Sequence, residues 1–120
     1  MNAAIEQMIQ GLQQGLKFVE IRSGHQSAAA FEGVLLRSDL PTCRRLLEST
    51  LGPPLKDFNQ TVTFEPTIQR AIALIGGIRI DQCLFFASGE GQQVGYAALW
   101  PWASDANRIT LKAGLLQLTS

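Results

Sequence analysis

Few residues in this 120-residue chain have types and spacing that could do chemistry. The single histidine, His25, stands between Ser23 and Ser27. A catalytic histidine needs a nucleophile to deprotonate or a carboxylate to orient it. No Gly-x-Ser-x-Gly elbow is present to hold either serine as that nucleophile. His25 therefore reads as a solvated turn residue. Cys43 and Cys83 form no Cys-x-x-Cys pair, and with one histidine they fall short of a structural zinc set. Cys83 follows Asp81 and Gln82, and Arg79 could stabilise its thiolate. Its alternation with Phe85 turns it toward a core instead. Both cysteines read as small buried residues of a reducing compartment.

Two glycine-rich stretches invite a phosphate-binding reading. "GEGQQVG", Gly89 to Gly95, lies between two apolar runs of strand type. A dinucleotide site needs its glycines between a strand and the start of a helix, so a hairpin turn is the expectation here. "IGGIR", Ile75 to Arg79, follows a helix and would present carbonyls to a ligand. Arg37, Arg44 and Arg45 could clamp an anion, but Glu48 stands four residues after Arg44 and three after Arg45. Surface pairing on one helix accounts for them, with Asp39 in reach.

The aromatic residues of "YAALWPWASD" are the strongest binding candidates. Tyr96, Trp100 and Trp102 share one parity of an extended strand. Pro101 lacks a ladder donor and marks a strand end or an edge. Aromatic side chains there can stack on a ligand, anchor a partner, or cap the core. We take Tyr96, Trp100 and Trp102, with Arg79, as the candidate contact residues.

These residues must be positioned by a small set of elements. Ile5, Met8, Ile9, Leu12 and Leu16 make one face of a helix over residues 2–15, with Asn2 as its cap and Gly15 as its end. "LKFVEIRS" and "AFEGVLLR" predict two strands joined through "GHQSA" as a hairpin. The alternative is a first helix that continues to Arg22. "SDLPTCRRLLESTLG" predicts a helix capped by Ser38 or Asp39, with Pro41 in its first turn, an apolar stripe of Leu40, Cys43, Leu46, Leu47 and Leu51, and Gly52 in a left-handed conformation at its end. "PPLKDFNQ" reads as a loop over the surface.

A third helix begins near Pro66, buries Ile68, Ala71, Ile72 and Ile75, and stops at Gly76-Gly77. Three strands follow. In "DQCLFFAS", Cys83, Phe85 and Ala87 take one face and Leu84 and Phe86 the other. "VGYAALWPW" is also apolar on both faces. In "RITLKAGLLQL" the apolar set moves from Ile109 and Leu111 to Leu116 and Leu118, which predicts a β-bulge at Gly114.

The expected fold is a single α+β domain, order α-β-β-α-α-β-β-β, with three helices and a largely antiparallel sheet of about five strands. That order is similar to profilin-like, roadblock-like and sensor-type domains, whose folds host many functions. The roadblock-like order expects a closing helix, where this pattern predicts a strand. Ten basic residues balance ten acidic ones and no block of one sign occurs, which argues against a nucleic-acid partner or a charged membrane surface. The opening residues lack a signal peptide's basic and apolar regions, no apolar run spans a bilayer, and a cytoplasmic location is the expectation.

Two adjacent strands apolar on both faces require cover on both sides of the sheet. A second copy of the chain is one cover and the N-terminal helix wrapped behind is another, and two-fold dimers are the commonest assemblies. The leading functional expectation is a binding or assembly module, homodimeric and without catalysis, that uses no cofactor or metal and can take a protein partner. The rival is a small-molecule-binding domain or enzyme, with Arg79, Asp81, Cys83 or His25 in a pocket between sheet and helices.

Overall fold

The structure, a computed structural model, describes residues 2–23, 30–89 and 91–118. His25 and the turn around it lie outside the described residues, as do the side chains of Asn2 and Ser23. The elements run α1 (Asn2–Gly15), β1 (Glu20–Ser23), β2 (Ala30–Leu36), α2 (Leu40–Leu51), α3 (Pro66–Leu74), β3 (Cys83–Ser88), β4 (Gln93–Pro101) and β5 (Arg108–Gln117). All strand pairs are antiparallel, in the order β1-β2-β5-β4-β3. The expected class and element order are therefore present: an α+β fold with three helices and a five-stranded antiparallel sheet.

The helix ends follow backbone chemistry more than side-chain caps. Gly15 ends α1, and the chain reaches β1 only at Glu20, so the first strand is shorter than "LKFVEIRS" suggests. Asp39 precedes α2, but its side chain makes no cap bond there. Its carboxylate accepts the Lys17 N–H at 3.3 Å, tying the exit of α1 to the entry of α2. Gly52 has the positive φ the sequence calls for, at 80°, but its ψ of −174° is extended and not left-handed helical. Gly76 and Gly77, at φ 103° and 92°, reverse the chain after α3, and the Gly77 N–H bonds the Ile72 carbonyl at 2.8 Å.

The sheet is covered on both faces, by different helices. On one side α1 and α2 pack Ile5, Leu12, Cys43 and Leu47 onto Phe31, Leu35, Phe85, Leu99, Ile109 and Leu111. On the other, α3 and the segments beside it set Ile72 and Ile75 on Leu84, Tyr96 and Ala98, and Ala71 near Val94 and Leu118. Small residues in β4, Gly95, Ala97 and Ala98, let both layers come close to the central strands. On the second face the N-terminal helix is not the cover: α1 stays beside α2, and the third helix lies behind the sheet. The connections through 52–65 and 75–82 carry α3 there.

Two further expectations fail for the same reason. β5 pairs with β4 without interruption from Ile109 to Gln117, through Tyr96 opposite Gly114, so there is no bulge at Gly114. The apolar set changes parity because the second layer begins: Leu111 and Ala113 face α1 and α2, whereas Leu116 and Leu118 face the α3 side. "PPLKDFNQ" does not merely cross the surface. Lys56 bridges to Leu84 and is buried, so this loop forms part of the β3 edge.

Because α3 seals a buried face, truncation of Ile75, which is 2% exposed, will cost what a core residue costs. Urea denaturation of Ile75→Ala should show a loss of about 2–4 kcal/mol. A loss below about 1 kcal/mol would mean that α3 is an appendage.

Candidate functional site

The turn after α3 and the end of β4 enclose a depression of about 370 Å³, lined by Gly76, Gly77, Ile78, Arg79, Gln82 and Trp100. The Gly-Gly turn makes it possible. A Cβ at Gly76 would stand 3.8 Å from the Trp100 ring, so the backbone lies against the indole. Beyond it, the Arg79 N–H donates to Gln82 Oε1 at 2.6 Å and the Gln82 N–H to the Arg79 carbonyl at 3.0 Å. This reciprocal pair fixes the stem of Arg79, while its side chain is 76% exposed. Asp81 stands 3.9 Å from the guanidinium, the limit of an ion pair.

Lys112 lies 5.6 Å from the centroid of the Trp100 ring, close enough for a cation–π contact. Its ammonium also reaches the Ile75 carbonyl at 3.4 Å, where the carbonyl end of α3 favours a cation. The Trp100 Nε1–H is buried without a hydrogen-bond partner. A second hollow of about 200 Å³ shares Ile78 and Arg79 and adds Val62, Phe64 and the exposed Ile80. The site is thus two shallow, partly apolar hollows with a cation on an exposed side chain, Arg79, lining both of them.

The sequence candidates separate in space. Trp100 and Arg79 come together in this depression. Tyr96 lies in the interior under α3, 5% exposed, and burial raises its pKa, with the Glu32 carboxylate adding to the shift. Trp102 lies just past β4 and is half-buried. Its Nε1–H donates to Thr110 Oγ1 at 2.8 Å, and the guanidinium carbons of Arg22 and Arg108 each stand 5.7 Å from its ring centroid. Arg108 is held by Asp105 at 3.1 Å, and Arg22 by Glu20 at 3.2 Å and Glu32 at 3.5 Å. Trp102 therefore joins the β1 edge to the turn before β5.

The described residues of the rival reading, Arg79, Asp81 and Cys83, do not share one pocket. Asp81 and Arg79 are on the surface, whereas Cys83 is fully buried in the α1–α2 core. Burial, and then the Asp57 carboxylate, push its thiol up to about 12. Burial does the same to Cys43. Neither cysteine is poised as a nucleophile at neutral pH. Among the described residues, no three of His, Cys, Asp and Glu are grouped to hold a metal ion.

The arginines are also paired differently from expectation. Arg44 turns away from Glu48 and grips Asp57 with two bonds of 2.8 and 2.9 Å, Arg45 bonds the Thr42 hydroxyl, and Arg37 bonds the Ala106 carbonyl. Beside that clamp, the Lys56 ammonium donates to three carbonyls, those of Asp57, Ile80 and Gln82, at 3.0, 2.8 and 2.5 Å. Burial lowers its pKa. Sequence reasoning missed Lys56; its only signal is a lone cation between Leu55 and Phe58. In comparisons with protein-family models, curated proteins and solved structures, nothing matches this chain. The likeness to profilin-like and roadblock-like domains therefore rests on element order alone.

Three outcomes follow. Replacing Lys56 with Met removes the ammonium bond from three carbonyls, of which those of Asp57 and Ile80 keep the Gln60 and Asn59 N–H groups, and should cost about 1–3 kcal/mol by urea denaturation. Arg44 holds Asp57 at about 2 against an ordinary 3.8, so this pair contributes stability above pH 4 that is lost as pH falls toward 2. Asp57→Asn should flatten the acid limb of a stability-against-pH curve in that window. Both thiols should resist a maleimide in the native protein at neutral pH and react once it is unfolded.

Proposed function

We propose that this protein is a non-enzymatic binding and assembly module, homodimeric, that takes a protein segment at the Trp100–Arg79 depression. The observation that carries the reading is the joining of an indole and an exposed guanidinium across one hollow, with apolar Ile78 between them and Ile80 and Leu74 exposed nearby in the chain. Tryptophan and arginine are the side chains most enriched where binding energy concentrates. Arg79 and Lys112 give the hollow a basic border, which suits a partner segment with an apolar side chain beside a carboxylate. The buried, raised thiols support a role without nucleophilic chemistry.

The homodimeric part of the reading has a narrower basis than a bare sheet face would give, because α3 occupies that face. Its support is now the exposed β1 edge, where Val19 is 47% and Ile21 51% accessible.

A heteronuclear NMR titration tests the depression. A short acidic peptide with one leucine should shift the amides of Gly76, Gly77, Arg79 and Gln82 and the Trp100 indole N–H. Arg79→Glu should weaken that response about tenfold, the loss of one charge-assisted contact. Shifts confined to other surfaces, or no response at millimolar peptide, would contradict the reading.

A further inference from the structure

The two edges of the sheet are finished differently. At the β3 edge, the Leu55 and Lys56 N–H groups bond the Leu84 carbonyl and the Leu84 N–H bonds the Lys56 carbonyl. Lys56 holds that loop down with its three carbonyl bonds. At the other edge, β1 pairs with β2 alone, and among the described residues nothing pairs with its outer side. An open edge carrying exposed apolar residues is a template for another strand.

The order of residues along β1 says which strand fits. Ile21 is flanked by Glu20 and Arg22, opposite charges two positions apart. When such a strand meets its own copy antiparallel, with Ile21 opposite Ile21, each Glu20 faces the Arg22 of the other copy. Directly opposed unlike charges stabilise a strand pair, and like charges disfavour it. Sliding the register by two residues breaks both matches. Edge charges and the irregular register between Ile21 and Ser23 usually discourage edge pairing. Here the two charges match in the self-pair centred on Ile21, so they favour that register over its neighbours. Glu20 and Arg22 are about half and two-fifths exposed. Trp102 stacks on the Arg22 guanidinium and so holds that cation beside the edge.

We propose that two copies of this chain pair antiparallel along β1 about a two-fold axis through Ile21, joining their sheets into one. The proposal rests on the homodimeric reading and gives it an interface. β1 has four residues, so the buried area falls in the small, transient class and the dimer forms as concentration rises.

Size exclusion with light scattering over a concentration series should show the mass moving from one chain toward two. Glu20→Arg and Arg22→Glu should each weaken dimerisation tenfold or more, since each places like charges opposite one another. An equimolar mixture of the two variants should dimerise again, because each position then meets its opposite. Loss of the intrachain Glu20–Arg22 pair cannot produce that recovery, since the pair is broken in both variants. Independently, mild oxidation of Ile21→Cys should give a disulfide-linked dimer, as residues directly opposed across a strand pair lie within disulfide reach. A wild-type protein that stays monomeric throughout overturns both this interface and the homodimeric reading. Dimerisation unaffected by either charge reversal, no recovery in the mixture, or no crosslink at Ile21 overturns the interface while leaving a homodimer through another surface.

Discussion

The burial of β4 on both faces is the constraint on which the rest of this structure depends. Ala97 and Leu99 point to the α1–α2 layer, and Tyr96 and Ala98 to the α3 layer. A strand with apolar groups on both sides needs two covers, and each must bury its own apolar stripe in turn. The chain meets this by sending α3 behind the sheet through the long connections on either side of it. Those connections then need anchors of their own. The Lys56 ammonium, bonded to the carbonyls of Asp57, Ile80 and Gln82, and the Arg44–Asp57 carboxylate clamp supply them.

Closure of both faces sets where contact with other molecules can occur. The broad apolar surface that a half-covered sheet would expose is absent from the β3–β4 side, so the candidate contact surfaces lie at the margins. One margin is the turn after α3, where two glycines bring the backbone against Trp100 and leave Arg79 extended. The other is the β1 edge, where Trp102 and two arginines form a stacked group. The same tryptophan-proline-tryptophan stretch serves both: Pro101 ends the ladder, Trp100 remains under the helix end, and Trp102 passes on to the β1 side. The paired tryptophans therefore belong to two separate surfaces.

Much of the fold was legible because local chemistry and periodicity agree. Pro41 and Pro66 start helices, Gly76-Gly77 stops one, and the alternation of Cys83 and Phe85 with Leu84 and Phe86 matches the two cores. What could not be read is what depends on residues distant in the chain. The β2–β5 pairing closes across more than seventy residues, from Leu36 to Arg108. The parity change along β5 looked like a bulge because a single strand cannot show that a second layer begins beside it. Trp100 and Arg79 were legible as members of one contact set, but the separation of Tyr96 and Trp102 from them was not. Lys56 was hidden because lysine is the side chain least expected in an interior, and only three carbonyls from separated positions make its burial tolerable.

The most direct test of this account is native-state amide hydrogen exchange, which reports each edge and face of the sheet residue by residue. The account predicts slow exchange at Leu84 and Lys56, comparable with Ala97 and Leu99 in β4. It predicts fast exchange at Glu20 and Arg22 in dilute protein that slows as concentration rises. Fast exchange at Leu84 and Lys56, or slow exchange along β1 that is independent of concentration, would contradict the division into one sealed and one open edge.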